Sequence, residues 1–138
     1  ISPQLMENSE ILTLARKHIA DLADGKSGEE LAAYFNPAIR QIEYPNLLNP
    51  HGGISDFKTL MDRAEKGKQI LKSQSYDVQR EFVSGNTVIF EVVWRGAFAI
   101  PIGKTPAGEE IKAFFALFIE FENGKILTQR NYDCFAPF

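Results

Sequence analysis

Cysteine occurs once in this chain, at Cys134, and histidine twice, at His18 and His51. One thiol closes no intrachain disulfide, and with two histidines there is no ligand set for a structural zinc; no metal constellation is found elsewhere. Basic residues are not in excess: 15 Lys and Arg stand against 18 Asp and Glu, a formal charge of −3. Without a basic stripe to neutralise phosphates, neither nucleic acid nor a membrane surface is an expected partner. No segment approaches the roughly 18 apolar residues of a spanning helix, and Ile1 to Glu7 shows no basic region followed by an apolar run. These absences fit a reducing cytoplasm, and a first residue Ile1 in place of Met points to a trimmed start. Internal repeats and low-complexity tracts are also lacking. What the chain has in plenty is Phe, 11 in 138 residues, within 44% apolar content. That composition predicts one globular domain, residues 1–138, with a core built on aromatic rings.

Helices are expected first. Ile11, Leu14, Ala15, His18, Ile19 and Leu22 recur at three- and four-residue steps, predicting a helix from about Ser9 to Asp24 that Gly25 stops. Ser27-Gly-Glu-Glu30 reads as a capping box opening a short helix through Leu31 and Phe35, ended by Asn36-Pro37. A short strand over Ile39 to Tyr44 follows, then a loop to Gly53, then a helix capped by Ser55 with Phe57, Leu60, Met61 and Ala64 on one stripe. After about Ser73 the chain reads as strand: Tyr76 to Val83, Thr87 to Phe98, and a closing pair, Lys112 to Glu122 and Lys125 to Phe135, joined by the tight turn Asn123-Gly124. Between them Ile100 to Gly108 is a long loop. Helices grouped before antiparallel strands predict an α+β layer fold with the sheet curled over the helices.

The strand from Lys112 to Glu122 is apolar on both faces. Ala113, Phe115, Leu117, Ile119 and Phe121 form one set; Phe114, Ala116 and Phe118, with charged ends, form the other. The first set is assigned to the helices. The second leaves an exposed patch, and Glu91 and Arg95 are placed on the same outer face, which predicts a homodimer formed sheet to sheet.

Tyr34-Phe35-Asn36-Pro37, Glu43-Tyr44-Pro45-Asn46, Glu120-Phe-Glu-Asn-Gly124 and Gln129-Arg-Asn-Tyr-Asp-Cys-Phe135, taken in this order, resemble the SnoaL-like branch of the nuclear-transport-factor-2-like superfamily. The resemblance covers essentially the whole chain. It implies a cone-shaped α+β barrel in which a bent antiparallel sheet wraps the N-terminal helices and leaves an apolar pocket. Members include ketosteroid isomerases, polyketide cyclases, scytalone dehydratases, limonene epoxide hydrolases and proteins without catalysis, so function has to be argued from the site. The implied ligand is a small apolar or aromatic molecule and the implied chemistry, where there is any, is cofactor-free proton transfer.

In cyclases and epoxide hydrolases of that superfamily a pocket carboxylate sits near the end of the last strand, often as Arg-x-Tyr-x-Asp. Laid on Arg130 and Tyr132, the pattern puts Cys134 in the acid's place and leaves Asp133 one residue out of phase. A one-residue shift sends a side chain to the opposite face unless a bulge intervenes, so Asp133 is either a buried general acid–base group or a surface carboxylate. Cys134 is a nucleophile only with a cation or base beside it; Arg130, four residues back, is about 13 Å away along a strand, and a small packing thiol is the simpler role. Tyr132 is a hydroxyl donor to a ligand carbonyl or a core aromatic with its hydroxyl at the rim. Where the isomerases carry an Asp-Pro base this chain has Tyr44-Pro45, with Glu43 beside it as a base or a solvated charge. His18 on the first helix's apolar stripe is a base or donor inside the cone, or a core-edge histidine. Asn46 and His51 belong to a loop bordering the opening, Asn131 joins Arg130 and Cys134 as a candidate ligand contact, and Trp94, Phe98 and Phe115 supply ring surface to cavity or core.

Overall fold

In a computed structural model describing residues 3–138, the chain forms three helices and six strands: α1 (Pro3–Ala23), α2 (Gly28–Ala32), β1 (Phe35–Glu43), β2 (Gly53–Ser55), α3 (Phe57–Ile70), β3 (Leu71–Ser84), β4 (Thr87–Phe98), β5 (Glu110–Glu122) and β6 (Lys125–Phe135). The strands make one curved, unclosed sheet in the order β2-β1-β6-β5-β4-β3. It is mixed, not purely antiparallel, because β1 runs parallel to β6. That pairing is possible because the whole of α3 and the β3–β5 meander lie between the two strands in sequence, enough chain for a crossover.

Pro3 suits the first helical position, where its missing N–H costs nothing, and α1 starts six residues before the Ser9 expected from its apolar stripe. At its other end Gly25 adopts φ 76°, Lys26 N–H donates to Asp21 O at 3.0 Å and Gly25 N–H to Leu22 O at 3.1 Å, a Schellman stop. The second helix is shorter than its capping box implies. Ser27 makes no side-chain cap, and Phe35-Asn36-Pro37, expected to end that helix, instead open β1. Asp56, not Ser55, caps α3, its carboxylate accepting from Thr59 N–H at 2.9 Å.

Ile11, Ala15 and Ile19 of α1 pack on the concave face against Phe90, Val92, Leu117 and Ile119. A second cluster, Trp94, Ile111 and Ala113 with Phe98, Phe115, Phe135 and Phe138, closes one end of the cone. Helix α3 leans its Phe57, Leu60, Met61 and Ala64 stripe on the core without burying any residue fully. A helix that covers the sheet without filling the space beneath it leaves a cavity, and this one does.

Two extra residues set which side chains face inward. The Ser84–Thr87 hairpin pairs Arg80 with Glu91, but Val78 faces Val92, so Gln79 is bulged. The Asn123–Gly124 turn pairs Phe121 with Ile126, but Glu120 faces Thr128, so Leu127 is bulged. Each bulge inverts the phase of everything beyond it.

Candidate functional site

Beyond Leu127 the strict alternation of β6 turns Gln129, Asn131, Asp133 and Phe135 to the concave face, opposite Ile119, Leu117, Phe115 and Ala113. Arg130, Tyr132 and Cys134 take the convex face, opposite Phe118, Ala116 and Phe114. Without the bulge the turn's register would set Asp133 against Phe114, on the outside. On β1, Gln41 and Glu43 lie beside Gln129 and Asn131, so one edge of an otherwise apolar concave face carries Gln41, Glu43, Gln129, Asn131 and Asp133. The bulge at Gln79 acts in the same way on β3: it brings Tyr76 opposite Trp94, inside, where a flush register would leave it opposite Arg95.

Beneath α3 lies a cavity of about 510 Å³, within the usual range for small-molecule pockets. Its inner wall is His18, Leu22, Phe35, Ile39, Tyr76, Gln41 and Gln129, and its roof is Leu60, Arg63, Ala64 and Gly67. Gln129 is 4% exposed and donates from Nε2 to Asn131 Oδ1 at 3.0 Å. Arg63 donates to Ser55 Oγ at 2.7 Å and to Gln41 Oε1 at 3.2 Å, pinning α3 to β2 and β1 over the cavity.

Among the described residues the buried side-chain polar atoms without a protein partner are His18 Nδ1 and Asp133 Oδ1. A buried polar atom left unpaired costs roughly 1–3 kcal/mol, so such atoms mark a function more often than an oversight. Burial, and secondarily the negative charge of Glu43, pushes the Asp133 carboxyl up to about 7. Burial outweighs the charge of Asp21 and pushes the His18 imidazole down to about 4. At neutral pH the two therefore invert the ordinary contrast: the histidine is neutral and the carboxyl is poised to gain or lose a proton. Burial, then the Asp133 charge, raises Tyr76, whose ring meets Phe115 edge-on at 6.2 Å. Tyr76 thus links the cavity wall to the carboxylate behind it.

His18 is 2% exposed, with Tyr34 at 5.1 Å and Phe35 at 5.3 Å between ring centroids, while Tyr34 donates its hydroxyl proton to Asp21 Oδ2 at 2.5 Å. Of the residues singled out from the sequence, His18 lines the cavity. Asp133, Asn131 and Glu43 stand on the same concave face but are not among the residues that line the cavity. Glu43 Oε2 accepts from Asn46 Nδ2 at 2.8 Å, so Asn46 orients Glu43 and, through Oδ1, the N–H groups of Leu48 and Asn49. Trp94, Phe98 and Phe115 belong to the aromatic plug at the end of the cone, where Trp94 Nε1 donates to Gln74 Oε1 at 3.2 Å. Tyr132 is 42% exposed on the convex face and stacked on Tyr44 at 4.5 Å; Arg130 sits over Phe118 there, and Cys134 is exposed. His51 lies in the loop before β2. Sequence reading missed Tyr76, Gln41, Gln129 and Arg63. Gln129 was within reach, two residues from Asn131 on the same alternate set, whereas Tyr76 depends on an invisible bulge. Among the described residues no three His, Cys, Asp or Glu side chains converge as a metal ion requires.

The family model described as the SnoaL-like domain matches residues 15–129, most of the chain. The chain belongs to the SnoaL-like family. This SnoaL-like protein is similar in structure to a candidate SnoaL-like polyketide cyclase of Jannaschia sp. CCS1, at 14% identity and TM-score 0.74, covering 96% of this chain and 89% of that one. It is also similar to IdmH of Streptomyces antibioticus, a candidate polyketide cyclase (16% identity, TM-score 0.72, 89% and 91% covered). A Catenulispora acidiphila protein with a ketosteroid isomerase-like fold, crystallised with trimethylamine, matches at 11% identity and TM-score 0.65, with 86% and 83% covered. Identities this low establish the shared α+β cone alone. Comparison with curated proteins found none that matches. No helix among the described residues is long and apolar enough to cross a membrane.

Proposed function

We propose that this SnoaL-like protein binds a small apolar, cyclic or aromatic molecule beneath α3 and moves a proton on it without a cofactor, as an isomerase, cyclase or dehydratase does. The observation that carries this reading is Asp133: a carboxylate with a buried, unpartnered oxygen on the concave face, flanked by Phe115 and Tyr76. A general base works best when its pKa lies near the operating pH, and burial is the means by which a carboxyl gets there. Asp133 is the base in this scheme, reached by a ligand that extends from the cavity past Tyr76, and takes a proton from carbon next to the ligand's carbonyl; Tyr76, on the cavity wall, is the donor that offsets charge growing on the carbonyl oxygen, and neutral His18, also on the wall, is a second donor.

The test is proton exchange in D2O. Wild-type protein is incubated with a panel of small cyclic ketones and followed by proton NMR. Exchange at the position next to the carbonyl is expected, and Asp133→Asn should slow it by roughly 10²–10⁴-fold, the usual contribution of a positioned acid–base group. Ligand retention without exchange on any member would favour a non-catalytic binding module, the reading that the apolar majority of the cavity lining also supports.

The convex face supports a homodimer. Phe114, 50% exposed, lies with Phe118, Ala116 and Tyr132 in one apolar patch. Lys112 and Arg95 border it at one end and Glu120 at the other, while Glu91 lies level with Ala116 at the middle and pairs with Arg80 at 3.3 Å. A two-fold axis through Ala116 would lay each basic end on the partner's acidic end, the self-complementarity that a symmetric interface requires.

A further inference from the structure

The cavity's mouth differs from its interior in charge. Lys26 follows α1, Lys68 lies in the last turn of α3 and Lys72 is the second residue of β3, so three separate elements each bring an exposed lysine to the cavity lining, with Arg63 on the roof. Asp24 is the acidic residue of the lining. Lys26 pairs with Glu30 at 3.4 Å and Lys68 with Glu65 at 3.7 Å, both solvent-exposed pairs within one turn of sequence. Such pairs hold little energy and exchange readily for a better partner. Arg63 is bound to neutral groups, Ser55 and Gln41. Behind this rim the wall is apolar, Leu22, Phe35, Ile39, Leu60 and Ala64, and it holds the fully buried His18 with an unpartnered ring nitrogen. The mouth thus selects by charge and the interior largely by apolar surface, with His18, Gln41, Tyr76 and Gln129 as its polar groups.

From this arrangement we infer that the ligand is an acidic amphiphile: an apolar ring body lodged beneath α3, with a carboxylate or comparable anionic group held at the mouth by Lys26, Lys68 and Lys72. This inference rests on the reading of the cavity as the ligand site, but not on Asp133 being a base.

Two fluorescent probes of nearly equal shape separate charge from apolar fit: anilinonaphthalene sulfonate, which is anionic, and uncharged phenylnaphthylamine. Their affinities are measured by titration at low and high salt, and their location by methyl NMR shifts of Leu22, Ile39 and Ala64. The sulfonate should bind about tenfold tighter than the neutral probe at low salt, the sum expected of three exposed ion pairs. The preference should shrink as salt rises. Lys26→Gln/Lys68→Gln/Lys72→Gln, all surface changes, should abolish the preference while leaving the neutral probe's affinity within about twofold. Equal affinity of the two probes, or a preference that survives the triple substitution, overturns the acidic class and leaves the cavity as a ligand site. If neither probe shifts those methyls, both this inference and the ligand-pocket reading fail together.

Discussion

Asp133 and His18 face one interior with opposite titration behaviour, and a pH series separates them. The Asp133 carboxyl lies at about 7 in the fold against an ordinary 3.8. A folded pKa raised above the unfolded one means that the folded state holds the proton more tightly. Stability from this group is therefore present below pH 4 and is lost as pH rises towards and through 7. At pH 8 the buried charge costs about 2 kcal/mol, roughly half of what the full shift implies, because solvent reaches part of the group. Asp133→Asn should therefore be more stable than wild type by about that amount at pH 8, and the gain should vanish near pH 4. Urea melts at the two pH values read it directly, and equal stability of the two proteins at pH 8 would place Asp133 in ordinary solvent. His18 runs the other way: lowered from 6.5 to about 4, it withdraws stability as pH falls between those values.

At the scale of elements, the order of the three helices and of the strands other than β2, whose Gly53–Ser55 was read as loop and helix cap, was legible in periodicity, and so was the Asn123-Gly124 hairpin, where both residues adopt positive φ, 51° and 76°. What was not legible is phase. A bulge is one residue without a pairing partner, and nothing in Gln79 or Leu127 announces it; yet these two residues determine that Tyr76 and Asp133 face inward. The motif Arg130-x-Tyr132-x-Cys134, read in the turn's own register, pointed to the wrong face for the same reason. The parallel β1–β6 pairing was equally hidden, because pairing between strands distant in sequence leaves no local signal. One loop position is fixed by contact. Gly52 has φ 62°, and a Cβ there would stand 2.4 Å from the Glu43 carbonyl oxygen. Gly52→Ala is expected to cost about 1–3 kcal/mol in thermal or urea unfolding, since both strain and overlap oppose it. A neutral result would show that the loop entering β2 does not constrain Glu43.

For the molecule as a whole, apolar surface lies on both sides of one sheet, and the two proposed roles divide along it, the concave side for a ligand and the convex side for a partner copy. Phe114→Glu, on the convex face away from α1 and α3, should give a monomer at micromolar concentration by light scattering, with wild type at twice that mass and unfolding midpoints alike. A wild-type monomer would contradict the reading of Phe114, Phe118 and Tyr132. The proposed chemistry turns on a single proton. Carbon-13 NMR titration of the Asp133 carboxyl, assigned with Asp133→Asn, measures it: a midpoint near 7 is expected of a carboxylate turned into the cone by the Leu127 bulge, and a midpoint near 4 would contradict both its burial and its proposed role.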